Sequence, residues 1–320
     1  MSDRVLLVTH AAMDRHAAAG HPERPDRCAA VAAGVREAAG DRLRERDARP
    51  ATDTEIARIH PPEHLERLAA FEAAGGAWPD PDTYVVPGSL EAARRAAGGT
   101  IDAALAVARG EASVAFAAVR PPGHHAAARR PTGFCLLNNV AIAVEALRAD
   151  GGLRRVAIVD WDVHHGDGTH AIFGADPDLW YASTHQWPLY PGTGRREEDG
   201  TGAARGTMQN RPLAPGSGDE AFVGAWRDDL LPRIEAFEPE AILVSAGYDA
   251  HRDDPLAHLT VTEAGYEAVA TALGDAARRL ALTGIALTLE GGYDLDALRR
   301  STAATVLGLS AGLAGSPPEA

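Results

Sequence analysis

Four short apolar runs, at 113–119, 156–159, 241–245 and 285–289, do most to limit what this chain can become. Each has the length of a strand and lacks alternation between polar and apolar residues, the mark of a strand covered on both faces. A further run, Val5-Leu6-Leu7-Val8, reads as a first strand. Stretches with helical periodicity fall between, at 26–39, 62–74, 90–108, 140–149, 219–236, 262–282 and 295–308. Strands alternating with helices predict an α/β fold: a mainly parallel sheet with helices on both faces. In such sheets a ligand sits beyond the carboxyl ends of the strands. Each of the four runs delivers polar residues at that end, so their convergence predicts a site.

The run at 156–159 leads into Asp160-Trp161-Asp162-Val163-His164-His165-Gly166-Asp167-Gly168. If the chain stays extended, alternation points Asp160, Asp162 and His164 to one side. Two carboxylates and an imidazole suit a divalent ion; the plainer reading is a solvated loop. The run at 113–119 leads into Arg120-Pro121-Pro122-Gly123-His124-His125. Pro-Pro-Gly stiffens and then bends the chain, holding a histidine pair at a strand end. Histidine exchanges protons near neutral pH, so the pair beside carboxylates suggests acid–base chemistry. The remaining runs end in Ala246-Gly247-Tyr248-Asp249 and Glu290-Gly291-Gly292-Tyr293.

With His21-Pro22-Glu23-Arg24-Pro25-Asp26-Arg27, Gly133-Phe134-Cys135 and Pro191-Gly192-Thr193-Gly194, these motifs span nearly the whole chain. In that order the chain resembles the histone deacetylase-type zinc amidohydrolases of the arginase-deacetylase superfamily. The resemblance implies a three-layer αβα fold and removal of an acetyl group from an amine by metal-activated water. It implies zinc, with iron(II) as the alternative, on Asp162, His164 and Asp249. It also implies His125 as general base and then acid, His124 as electrostatic support, and Asp167 and Asp160 as their respective carboxylate partners. Tyr293 would donate to the developing oxyanion. Potassium is implied near Asp160, Asp162, His164, Ser183 and Thr184. Phe134 and Tyr190 would wall a narrow tunnel, with Gly133 beside them, Arg27 and Cys135 in the channel beneath, and Leu256 and Asp82 towards the substrate.

The expected substrate is an acetylated lysine side chain or an acetylated small amine. Leu256 stands where acetylpolyamine-preferring members carry a glutamate, which favours acetyl-lysine. An acetylpolyamine amidohydrolase is the alternative. A non-catalytic acyl-lysine binding module is disfavoured, because the His pair, the implied ligands and Tyr293 are all present. A two-metal ureohydrolase of the arginase branch is disfavoured by the His pair and tunnel motifs.

Composition fits this reading. The 320 residues are long enough for one deacetylase domain over 1–320, with a frayed tail at 315–320. A net charge of −14 argues against nucleic-acid binding. No apolar run is long enough to span a membrane. The 31 basic residues are all arginine, which suggests a GC-rich bacterial gene. Two cysteines and the absence of a signal-peptide pattern lead us to expect a cytoplasmic protein; a homo-oligomer is left open. Residues 78–88, rich in proline and aspartate, read as a surface loop, and 192–206 as another irregular stretch. Cys135 has no base placed for it and is not expected to be a nucleophile. His60, His64 and His170 read as structural, and His10, His16, His251 and His258 have no evident partner in the sequence.

Overall fold

The computed structural model describes residues 4–315. Its strands are β1 (Val5–Thr9), β2 (Leu43–Asp47), β3 (Ala77–Asp80), β4 (Thr83–Val85), β5 (Val114–Ala117), β6 (Val156–Asp160), β7 (Leu179–Gln186), β8 (Met208–Leu213), β9 (Ala241–Ala246) and β10 (Ile285–Leu289). Among the described residues, eight of them form one sheet in the order β2-β1-β5-β10-β9-β6-β7-β8. Every pairing in that sheet is parallel.

Strand alternation divides the core in two. Val5, Leu7, Val114, Phe116, Ala157 and Val159 face one apolar cluster. Leu6, Val8, Ala115, Ala117, Val156 and Ile158 face the other. Helices α1 (Asp26–Ala39), α9 (Glu263–Arg279) and α10 (Leu295–Ala314) pack together over the first cluster. Helices α4 (Ser89–Ala108) and α5 (Asn139–Gly151) pack over the second. This is the expected three-layer αβα arrangement. The shorter helices are α2 (Asp53–Ala57), α3 (Pro62–Ala73), α6 (Asp167–Phe173), α7 (Asp219–Gly224) and α8 (Leu231–Phe237).

The structure departs from the sequence expectation in several places. Residues 78–88 are not simply a loop, because β3 and β4 pair there as an antiparallel hairpin. The single helix expected over 219–236 is α7 and α8 joined by a π-helical segment, Ala225–Leu230. Helix α10 continues to Ala314, and Gly315 then takes a left-handed conformation (φ 75°) that ends it. The rest of the expected frayed tail lies outside the described residues. Strands β2, β7 and β8 were not expected. Strand β2, Leu-Arg-Glu-Arg-Asp, is an exposed edge whose charges discourage further pairing.

Candidate active site

Strands β5, β6, β9 and β10 are neighbours in the sheet, and the loops after them meet. Strand β6 ends at Asp160, and the chain then bends instead of remaining extended. Alternation therefore does not place Asp162 and His164. A turn does: Asp162 Oδ1 accepts the His164 N–H (2.8 Å) and lies 3.1 Å from His164 Nδ1. From the loop after β9, Asp249 Oδ2 comes within 3.2 Å of the same nitrogen. Asp249 Oδ1 accepts the Val163 N–H (2.9 Å), and Asp162 Oδ2 accepts the Gly291 N–H (2.7 Å). One donor atom from each of Asp162, His164 and Asp249 lies within 4.8 Å of the others.

This set fits a divalent cation. Asp249 Oδ2 is buried and has no hydrogen-bond partner, although it lies 3.2 Å from His164 Nδ1. Two buried carboxylates side by side are costly without compensating charge. Burial alone would lower the His164 imidazole, but Asp162 and Asp249 outweigh it and raise it to about 10. Burial also opposes ionisation of Asp162, yet His124 and His164 hold its carboxyl well below the usual range. The pocket thus gathers positive charge, and a cation could take the place of the His164 proton with an oxygen-rich, mixed O/N donor set.

Two His–Asp pairs flank the cluster. His124 Nδ1 lies 3.1 Å from Asp160 Oδ2, which also accepts the Tyr181 hydroxyl at 2.9 Å. His125 Nδ1 lies 2.8 Å from Asp167 Oδ1. The imidazole rings are 4.0 Å apart, yet their environments differ. For His124, burial is outweighed by Asp160, Asp162 and Glu290, and its pKa is raised well above the ordinary value. For His125, burial and then the charge of His124 prevail over Asp167, lowering it to about 4. These surroundings favour the charged form at His124 and the neutral, proton-accepting form at His125.

A cavity of about 230 Å³ leads to these groups, with Phe134, Tyr190, Leu256, Asp82 and Tyr293 in its lining. Phe134 is in the left-handed region (φ 67°) directly after Gly133 (φ 56°). A Cβ at Gly133 would strike the His125 ring. The Phe134 N–H donates to Thr83 Oγ1 at 3.0 Å, which ties the wall to the hairpin. Tyr190 stands edge-on to His125, with centroids 5.1 Å apart. The Tyr190 hydroxyl is 3.0 Å from Thr132 Oγ1, which donates to Asp80 at 2.6 Å. Burial, against the pull of Arg27, raises Tyr293 well above its ordinary value, so its hydroxyl keeps its proton.

Beneath Tyr293, the Arg27 guanidinium is 4.8 Å from the ring centroid and its Nε donates to the Gly292 carbonyl at 2.6 Å. Cys135 is buried, and burial pushes its thiol well above the usual range, as expected for a wall residue and not a nucleophile. Ser183 lies opposite Asp160 across β6 and β7, with its hydroxyl 2.9 Å from His185 Nδ1. The Thr184 hydroxyl accepts from Trp226 Nε1 at 3.0 Å. The structure thus brings together the expected ligands, the His pair, Tyr293 and the wall residues. The Ser183 and Thr184 side chains are already engaged by other residues.

Sequence reasoning gave no role to several supporting residues, some of which it named within motifs. Glu290 Oε2 accepts the N–H groups of Gly123 and His124 at 2.7 and 3.1 Å, so the last strand end holds the His pair in place. Glu23 and Arg120, from two motifs, form a fully buried bidentate pair. His16, without an evident partner in the sequence, hydrogen-bonds Ser89 at 2.7 Å and lies 3.7 Å from Glu23. His60 and His64 are structural, as expected: they bind the Ala128 and Leu136 carbonyls at 3.0 and 2.8 Å.

Comparison with known proteins agrees with this arrangement. The histone deacetylase domain family model matches residues 21–309. A histone deacetylase-like amidohydrolase of Pseudomonas aeruginosa is 41% identical over 280 residues, covering 87% of this chain and 73% of that protein. A probable deacetylase of Archaeoglobus fulgidus is 40% identical over 298 residues, covering 92% of this chain and 82% of that protein. The crystal structure of the HDA15 HD domain matches with a TM-score of 0.89 at 36% identity, covering 96% and 88% of the two chains. Among the described residues, no helix is long and apolar enough to cross a membrane.

Proposed function

This chain belongs to the histone deacetylase family, and from that premise we propose that it is a zinc-dependent deacetylase of acetyl-lysine or a related acylated amine. The observation that carries the reading is the Asp162–His164–Asp249 cluster set beside two His–Asp pairs in an aromatic-walled cavity. Three protein donors leave coordination positions free, as a catalytic ion requires. When bound, the ion supplies Lewis acidity, polarising the acyl carbonyl and making water a stronger acid.

The chain's own residues handle the protons. With Nδ1 tied to Asp167, His125 presents Nε2 to accept a proton as water oxygen adds to the acyl carbon. That proton then passes to the amine nitrogen as the C–N bond breaks, leaving acetate and the free amine. Asp167 fixes the tautomer and orientation of His125. His124, held charged by Asp160, adds positive potential. The Tyr293 hydroxyl donates to the developing oxyanion, a contribution typically worth ~3 kcal/mol. Phe134 and Tyr190 confine the alkyl chain behind the amide. Potassium is kept in this reading on the family resemblance and on the adjacency of Asp160 and Ser183.

Leu256, an apolar residue in the cavity lining, supports acetyl-lysine over acetylpolyamine. The test is kcat/KM of the zinc-loaded protein on an acetyl-lysine peptide and an acetylated polyamine, side by side. Faster peptide turnover is expected. Faster polyamine turnover would overturn the substrate assignment, and no turnover of either would overturn the deacetylase reading.

A further inference from the structure

Tyr293 and Leu256 line one cavity but follow different strands, and a buried carboxylate joins them. Asp254 lies beyond Asp249 in the loop after β9 and is 7% exposed. Its Oδ1 accepts the Leu256 N–H at 3.0 Å. Its Oδ2 accepts the Tyr293 N–H at 2.7 Å and the Asp294 N–H at 3.4 Å.

We propose that Asp254 is a positioning residue, fixing the Tyr293 backbone to the loop that carries Asp249 and Leu256 and so setting the place of the Tyr293 hydroxyl. The proposal rests on the oxyanion role given to Tyr293 above.

Three features support it. Helix α10 does not need Asp254 as a cap, because Asp294 accepts the Ala297 N–H at 2.8 Å and caps it. Tyr293 follows Gly291 and Gly292, the latter at φ 115°, so the segment before it has little stiffness of its own. A buried carboxylate is costly unless hydrogen-bonded. Burial, then Asp249, pushes the Asp254 carboxyl up, while the three N–H groups draw it back.

The test is a double-mutant cycle with Asp254→Asn and Tyr293→Phe in the zinc-loaded protein, reading kcat, KM and metal content. An asparagine side chain offers one oxygen and one amide nitrogen, so it cannot serve both loops. Asp254→Asn should lower kcat by about 10- to 100-fold, with KM within about twofold and zinc content unchanged. In the Tyr293→Phe background the same substitution should cost almost nothing. Should Asp254→Asn fold poorly, Asp254→Ser goes through the same cycle.

Full kcat in the Asp254 variant, losses that multiply in the double variant, or a loss that tracks zinc content would each overturn the proposal. If Tyr293→Phe alone keeps full kcat, the oxyanion role itself fails and the proposal falls with it. If Tyr293→Phe is slow but the losses multiply, only the positioning role fails.

Discussion

Replacing Glu23 with Gln removes a buried negative charge from between two buried guanidinium groups. Glu23, Arg27 and Arg120 are each 0% exposed. Oε1 accepts from Arg120 Nε at 2.7 Å and Arg27 at 3.2 Å, and Oε2 accepts from Arg120 at 2.6 Å. Burial would raise the Glu23 carboxyl, but Arg120 and then Arg27 bring it down from 4.5 to about 2. That difference corresponds to roughly 3 kcal/mol of stability. Removing one partner from a buried ion pair costs about 3–5 kcal/mol by an independent route.

Because the folded value lies below the unfolded one, the contribution is complete above the ordinary value of 4.5 and is lost as pH falls towards about 2. Urea unfolding of wild type and Glu23→Gln should therefore differ by about 3 kcal/mol at pH 7, and by roughly 1 kcal/mol less at pH 4. Thermal unfolding should shift by about 6 °C. A difference below about 1 kcal/mol at pH 7, or one unchanged at pH 4, would refute the reasoning.

Gly133→Ala should lose about 1–3 kcal/mol in urea unfolding, from backbone strain at φ 56° and collision with the His125 ring, and should slow turnover; wild-type stability and turnover would count against it. Asp249→Ala should bind zinc far more weakly and lose activity with it, which elemental analysis of the purified protein reads directly; full zinc occupancy would remove Asp249 from the ligand set. Leu256→Glu should move the ratio of kcat/KM towards acetylated polyamines by roughly tenfold, as expected for one added charge at the cavity; an unmoved ratio would mean that substrate choice is set elsewhere.

How much could be read from the chain depended on where each residue's partners lie. Strands β5, β6, β9 and β10 were legible because both their faces are covered, which leaves nearly continuous apolar runs. Strand β2 was not, because an edge needs few apolar side chains and carries charge instead. Strand β7, Leu-Trp-Tyr-Ala-Ser-Thr-His-Gln, is buried throughout, but its polar residues serve partners distant in sequence, such as Asp160 for Tyr181 and Trp226 for Thr184. Within the site, the motifs exposed the His pair, the cluster and Tyr293. The turn that brings Asp162 to His164 could be mistaken for continued strand. Nothing in the sequence marks Asp254, because one of its oxygens binds the nearby Leu256 N–H in its own loop and the other binds the Tyr293 N–H, far along the chain.

Among the described residues, strand β10 is the last in chain order and lies near the middle of the sheet, between β5 and β9. During synthesis, everything before it can leave the ribosome while the sheet remains two separate pieces, β2-β1-β5 and β9-β6-β7-β8. Each piece then presents an unsatisfied apolar edge, the kind of surface that invites wrong pairing and chaperone attention. Insertion of one late strand closes both edges and brings Glu290 to the His pair in the same event. A nascent chain stopped before residue 285 should therefore be both aggregation-prone and inactive, with proteolytic resistance and catalysis gained together once β10 emerges.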